Sequence, residues 1–527
     1  MTKATLRVVE EHFVRCARAT IGWLLIGLLA VVSGCAVNPV TGKRDLMIVS
    51  EAQELAIGQQ QFAPSQQMQG GSYELDPELT RYVQSVGNKL AAVSDRKLPY
   101  EFVVLNNSVP NAWALPGGKI AVNRGLLLQL SSEAELAAVL GHEIVHAAAR
   151  HSAQQMSRGQ LAQIGVMAAA IGYGGRQGAD LVVGAAQAGA QLVMQRYGRD
   201  AERESDYYGM GYMKAAGYDP AEAVTLQQTF VRLSEGQNQD WLSGLFASHP
   251  PSAERVKNNQ ETLAQLGTGG VVERERYQAA LARLRRTAPA YTAYDKAQKA
   301  LGEGKATEAE ALVRDAVRIQ PKEAMFQSLL GDIALQRGNQ TAELAAYDQA
   351  LALNRNFFLH HLKRGLARLQ TGNRAGGQAD LETSIKLLPT AKAMNELGKL
   401  AMARNDRGNA RSYFEGAAGA KGPVGDEARG QLARIDLSGD PSKVLQLRNY
   451  VDAGRLGTEV ANPSPVAAQD VVLEFLVRAE PGAAVQRAER VIARISAGQR
   501  VVVDSGLSAG VNPEVQVRII SARAAEN

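Results

Sequence analysis

His142-Glu143-Ile144-Val145-His146 is the stretch on which the rest of the reading turns. On a helix, residues four apart share a face, so both imidazoles can reach one ion while Glu143 stands where it can meet a water. Upstream, Ser132 followed by Glu135 has the pattern of a capping box and marks a helix start. Ala134, Leu136, Ala137, Leu140, Ile144 and Ala147-Ala148-Ala149 are small or apolar on all sides, the composition of a buried helix. Histidine is scarce, at seven in 527 residues, so two at this spacing around a glutamate are not what composition alone supplies.

A hydrolytic zinc site takes three protein ligands and leaves one position open. Sixty residues after His142, the run Glu202-Arg203-Glu204-Ser205-Asp206 supplies acidic candidates. Glu202 and Asp206, at i and i+4, lie on one helical face, and Glu204 points away from it. Glu202 is therefore expected as the third ligand and Asp206 as the acceptor that orients an imidazole N–H. His151, five residues past His146, falls off the ligand face and is expected to pack or cap; His360 and His361 are expected to be solvated or packed.

With these residues in view, the chain over roughly 45–265 resembles the M48 zinc metallopeptidases. HEIVH paired with Glu202–Asp206 carries the resemblance, and Asn111 to Val122 is similar to the family's short edge hairpin ahead of the zinc helix. It implies a helical, gluzincin-type domain holding one Zn²⁺ on His142, His146 and Glu202, with Glu143 as general base. It also implies that the edge strand Ala112-Trp113-Ala114-Leu115 holds substrate backbone by β-augmentation. His249, in Ala247-Ser248-His249-Pro250-Pro251, matches a loop histidine that can add a ligand and keep such enzymes latent.

Outward from this core, Leu161 to Val193 is rich in Ala, Gly, Val and Ile but too interrupted to span a bilayer, and a helical hairpin covering the site is expected. Gly267-Thr268-Gly269-Gly270 opens a linker read over 267–288. Residues 289–437 repeat: Ala297, Gly331, Gly365 and Gly398 recur every 33 or 34 positions. Val313, Tyr347, Leu381 and Phe414 stand sixteen residues after them, and Ala316, Ala350, Ser384 and Ala417 three further on. That period resembles tetratricopeptide repeats, an α-solenoid whose concave groove suits peptides or partner proteins. From 438 to 527, β-branched runs at Val471–Val477, Arg500–Asp504 and Glu514–Ile520, split by turn signals, read as a small β-sandwich-like module.

At the other end, Lys3, Arg7, Arg15 and Arg18 precede an apolar run from Ile21 to Val32, then Val32-Ser33-Gly34-Cys35. This resembles a lipoprotein signal over 1–34 with Cys35 as the lipidated residue; no Asp follows it, which implies the periplasmic face of the outer membrane. Residues 35–75 read as a polar tether and lead-in to a peptidase domain at 76–266.

A chain of this length makes about three domains. With 45% apolar and 21% charged residues it is neither disordered nor polytopic, and with two cysteines it has no disulfide framework. The formal charge of +5 falls to +3 without residues 1–34, which gives no argument for nucleic acid. The expected function is a zinc endopeptidase acting on misfolded or stalled envelope proteins, with the repeats docking substrates or outer-membrane assembly machinery. The competing expectation is an assembly scaffold or chaperone with a latent peptidase centre.

Overall fold

A computed structural model describes residues 35–160, 197–236, 248–479, 483–510 and 513–525. The expected signal at 1–34 and the expected hairpin at 161–193 lie outside them. The chain divides into two compact units, Met1–Arg337 and Gly338–Asn527, so the division falls within the repeats rather than at either end of them.

In the first unit the lead-in is folded, not a loose tether. Strands β1 (Cys35–Val37) and β2 (Arg44–Leu46) pair antiparallel around a turn in which Asn38 Oδ1 accepts from the Val40 and Thr41 N–H groups. Helix α1 (Glu51–Met68) starts at a capping box between Ser50 and Gln53. It buries Glu54, which pairs with Arg96 at 2.9 Å and Arg150 at 2.7 Å. The polar composition that suggested a tether is consumed by these internal ion pairs. Helix α2 (Pro77–Ala91) follows, N-capped by Asp76.

A three-stranded sheet stands where a single strand pair was expected. Strands β3 (Glu101–Leu105), β4 (Ala112–Leu115) and β5 (Lys119–Asn123) are ordered β3-β5-β4, with β3 parallel and β4 antiparallel to β5. The short helix α3 (Arg124–Leu127) leads to α4 (Glu133–Ala148), which is buried on every side except at His142. The Ser132 hydroxyl accepts from the Glu135 N–H at 3.1 Å. The Glu135 carboxylate reaches back to the Ser131 N–H at 2.6 Å rather than to the Ser132 N–H, so the cap is a capping box shifted by one residue. Helices α5 (Arg199–Ala215), α6 (Ala221–Gly236) and α7 (Ala253–Leu266) complete the domain.

The expected linker at 267–288 is mostly helix: α8 (Arg274–Ala280) and α9 (Ala282–Gly302) occupy it, with Pro289 inside α9. Only the glycine turn is loop. A β-carbon on Gly270 (φ +132°) would stand 2.5 Å from the Tyr218 carbonyl carbon, so this close pass requires glycine. Beyond it Val271 bridges to Tyr218, and the buried Tyr277 donates to the Leu127 carbonyl at 2.7 Å. The chain is thereby sewn onto the peptidase core. The unit closes with α10 (Ala306–Ile319) and α11 (Ala324–Gln336).

The second unit continues the repeats through α12 (Gln340–Leu353), α13 (Phe358–Gln370), α14 (Arg374–Leu387), α15 (Ala391–Ala403), α16 (Arg407–Ala418) and α17 (Pro423–Gly439). The sixteen-residue spacing has a direct cause here. A β-carbon at Gly398 would lie 2.6 Å from the Phe414 ring, and one at Gly365 3.1 Å from Leu381, so each small residue admits the bulky one of the next helix. His360 and His361 are both packed, not solvated.

Strands β6 (Gln446–Asp452), β7 (Arg455–Ala461), β8 (Ala468–Arg478), β9 (Gln486–Ile495), β10 (Arg500–Ser508) and β11 (Glu514–Ala524) form two antiparallel sheets, β10-β7-β6 and β11-β8-β9. Leu456 and Val460 of one sheet share a core with Leu473, Phe475 and Val477 of the other, a two-layer arrangement. No helix among the described residues is long and apolar enough to cross a membrane.

Candidate metal centre

Helix α4 sets His142 and His146 one turn apart with their Nε2 atoms 3.0 Å from each other. Helix α5 crosses it at a glycine pair: a β-carbon on Gly209 would come within 3.0 Å of the His142 nitrogen, and one on Gly141 within 3.1 Å of the Gly209 oxygen. This close crossing brings the acidic face of α5 to the imidazoles. Glu202 Oε1 lies 3.4 Å from His146 Nε2, and Oε2 lies 3.5 Å from His142 Nε2. Asp206 Oδ1 accepts from His142 Nδ1 at 3.0 Å.

His249 enters from the loop ahead of α7. Its Nδ1 is 2.9 Å from Glu202 Oε1 and 3.3 Å from His142 Nε2, and its Nε2 is 3.5 Å from Glu143 Oε1. His142, His146, Glu202 and His249 each offer a donor atom, all within 4.8 Å of one another, a group that could hold a metal ion. Glu143 is buried beside them.

Two residues at the centre carried no expectation. Arg255 donates from Nε and Nη2 to Asp206, both at 2.7 Å, and its Nη1 forms a 3.0 Å ion pair with Glu202. Tyr197 stacks on His146, ring centroids 3.8 Å apart at 23°. Neither residue belongs to a spaced motif, and both arrive from segments remote from α4, so local pattern gave no signal for them.

His151 and Glu204 stand outside the donor group, as expected, but make contacts that were not foreseen. His151 does not merely pack: its Nδ1 is 2.9 Å from His146 Nδ1, and its Nε2 is 3.2 Å from Glu204 Oε2. The contact with His146 arises because α4 ends before His151. Arg150 takes φ +62°, and residues 151–160 form a fresh helix that turns His151 back beneath His146.

The edge strand also differs. β4 is at the sheet's edge by pairing, yet Ala112, Trp113, Ala114 and Leu115 are all 5% exposed or less. Phe62 packs edge-on against Trp113, and the Tyr197 hydroxyl stands 3.5 Å from the Ala114 oxygen. In this arrangement the edge is covered. Cys35 begins β1.

Charge at the site is compensated rather than neutralised. Burial lifts the Glu143 carboxyl above the usual range, opposed in part by His249 and His142. Burial also works to raise Glu202, but His249 and His142 outweigh it and hold the carboxyl well below its ordinary value. Asp206 is likewise held low by Arg255 against its burial. Burial drives His146 well below the ordinary imidazole value, while Glu202 and Glu143 overcome burial to raise His249.

The donor set fits a divalent cation. Two imidazole nitrogens, a third imidazole and a carboxylate are ligands that zinc and neighbouring transition ions accept. Glu143 Oε2 and His249 Nε2 are buried without a hydrogen bond. Leaving such groups unpaired costs about 1–3 kcal/mol each, and a cation with its solvent ligand relieves that.

A helix bearing HExxH, crossed by a helix carrying glutamate and aspartate one turn apart, with a short sheet alongside, defines a metallopeptidase-type centre. Residues 77–263 match Peptidase family M48, and residues 294–356 and 362–425 match Tetratricopeptide repeat. The chain carries an M48 peptidase domain followed by tetratricopeptide repeats. It is 31% identical over 197 residues to "Putative beta-barrel assembly-enhancing protease" of Vibrio cholerae, covering 36% of this chain and 40% of that one. It is 34% identical over 190 residues to "Mitochondrial metalloendopeptidase OMA1" of Schizosaccharomyces pombe, covering 35% and 53%. "Metalloprotease YcaL" of Escherichia coli is 28% identical over 222 residues, covering 41% and 82%. The match thus spans about half or less of the first two relatives' length.

Proposed function

We propose that this chain is a zinc-dependent endopeptidase of the bacterial envelope that degrades misfolded or stalled outer-membrane and periplasmic proteins. The observation that carries the reading is the convergence of half-buried His142 with buried His146 and Glu202, and buried Glu143 beside them. In this reading those three hold zinc, and Asp206 and Arg255 hold His142 and Glu202 in place. When bound, zinc supplies Lewis-acid polarisation of the scissile carbonyl and acidifies water. Glu143 accepts the attacking water's proton and returns it to the leaving amine, a task suited to a carboxyl whose burial lifts its proton affinity.

His249 sits among the donors, and in this reading it occupies the position that substrate and water need. Together with the covered strand Ala112–Leu115, it describes a latched enzyme: activity requires His249 to leave and the edge to open. The repeats bind unfolded or misassembled envelope proteins or the assembly machinery, and lipid on Cys35 tethers the chain to the periplasmic face of the outer membrane. The bacterial relatives named as assembly-enhancing proteases support that setting. Incubating purified protein with an unfolded outer-membrane β-barrel tests the activity. Zinc-dependent cleavage lost in Glu143→Gln is expected; equal cleavage by both forms overturns the assignment.

A further inference from the structure

His142 and His146 present the same face but are held by different devices. Asp206 fixes His142: a carboxylate accepts from Nδ1–H, which leaves the Nε2 lone pair facing the centre. Among the described residues no carboxylate reaches His146 Nδ1. Its neighbour there is His151 Nδ1, 2.9 Å away, and the far nitrogen of His151 meets Glu204 Oε2 at 3.2 Å.

Only one proton arrangement satisfies both bonds with neutral rings. Glu204 is acceptor-only, so His151 carries its proton on Nε2 and donates it there. His151 Nδ1 is then a lone pair, and His146 must donate to it from Nδ1. That leaves His146 Nε2 unprotonated and aimed at the cluster. We propose that His151 and Glu204 are positioning residues: a two-residue brace that fixes the tautomer and ring plane of His146 for metal binding. The inference rests on the zinc-site reading above.

The backbone is built around this contact. Arg150 takes φ +62°, a conformation that a non-glycine residue holds only where its surroundings impose it. The surroundings do: Arg150 Nε donates to Glu54 at 2.7 Å and Nη2 to the Val49 carbonyl at 2.9 Å. The kink turns His151, 2% exposed, under His146, where an unbroken helix would carry it around to another face. Tyr197 stacks on one face of the His146 ring while His151 meets its edge, so rotation within the stacking plane is the remaining freedom, and the hydrogen bond removes it.

Equilibrium zinc affinity, measured by chelator competition on the purified protein, and the visible spectrum of the Co²⁺-substituted form test the brace. Removing such an outer partner weakens metal binding about 10–100-fold. His151→Leu is expected to lose affinity in that range and alter the Co²⁺ bands. His151→Asn, whose carboxamide oxygen can stand near the Nδ1 position, is expected to restore most of the affinity and the parental spectrum. Glu204→Leu serves as an independent probe if His151→Leu does not fold by circular dichroism, with a loss in the same direction expected. Affinity within twofold of wild type in folded His151→Leu or Glu204→Leu overturns the brace, as does equal loss in His151→Leu and His151→Asn, which marks simple packing. A wild-type protein that binds no zinc instead overturns the underlying site reading.

Discussion

Replacing His360 by Leu removes a histidine whose protonation opposes the folding of the repeats, and the size of that opposition follows from its surroundings. His360 is 0% exposed in α13, neither ring nitrogen has a hydrogen bond, and Phe357 packs edge-on 5.2 Å away. Burial, with smaller contributions from Lys363 and His361, pushes its pKa from 6.5 down to about 3. The folded chain therefore keeps this ring neutral where the unfolded chain would protonate it. Stability is unaffected above pH 6.5 and falls as the pH drops from there toward 3, because the unfolded state takes up the extra proton. Between pH 7.5 and pH 5 the loss is about 2 kcal/mol, or roughly thirtyfold in the opening equilibrium. Native-state hydrogen exchange of the α13 amides, corrected for the intrinsic pH dependence of exchange, reads it directly. Protection in Phe358–Gln370 is expected to fall thirtyfold in the wild type and by far less in His360→Leu. An equal pH response in both proteins refutes the reasoning and places the sensitivity elsewhere.

At the peptidase centre, His249→Ala is expected to raise basal proteolysis of an unfolded substrate several-fold while leaving one zinc bound; unchanged activity in a working assay rejects the latch. Gly209→Ala sets a β-carbon 3.0 Å from the His142 nitrogen, which is backbone and cannot rotate away. The helices must part, at a cost of about 1–3 kcal/mol, so both melting temperature and zinc affinity are expected to fall. Parental values for both would show that the α4–α5 crossing does not set the ligand geometry.

How much of this was legible depends on the range over which each feature is encoded. The i, i+4 spacing within His142–His146 and within Glu202–Asp206 is a local consequence of helical geometry, and the structure brings those two faces together. The repeats were legible for a similar reason, since Gly398 and Phe414 record one helix-to-helix contact in a fixed spacing. What was missed depends on distance or on a single backbone angle. Glu101–Leu105 became a strand only because β5 lies alongside it in parallel, across a connection that passes through β4. The helices at 274–302 were masked by the glycines before them, though Tyr277 is as buried as any core residue. The contact of His151 with His146 was missed because no periodicity announces the kink at Arg150, and Arg255 reaches the site from a helix with no motif.

The account rests on zinc held by His142, His146 and Glu202. Crystals of the purified protein, measured on either side of the zinc absorption edge, test it most directly. One anomalous peak within bonding distance of His142 Nε2, His146 Nε2 and a Glu202 oxygen is the predicted result. Absence of a peak there from zinc-replete protein, or a peak from which Glu202 is turned away, contradicts it.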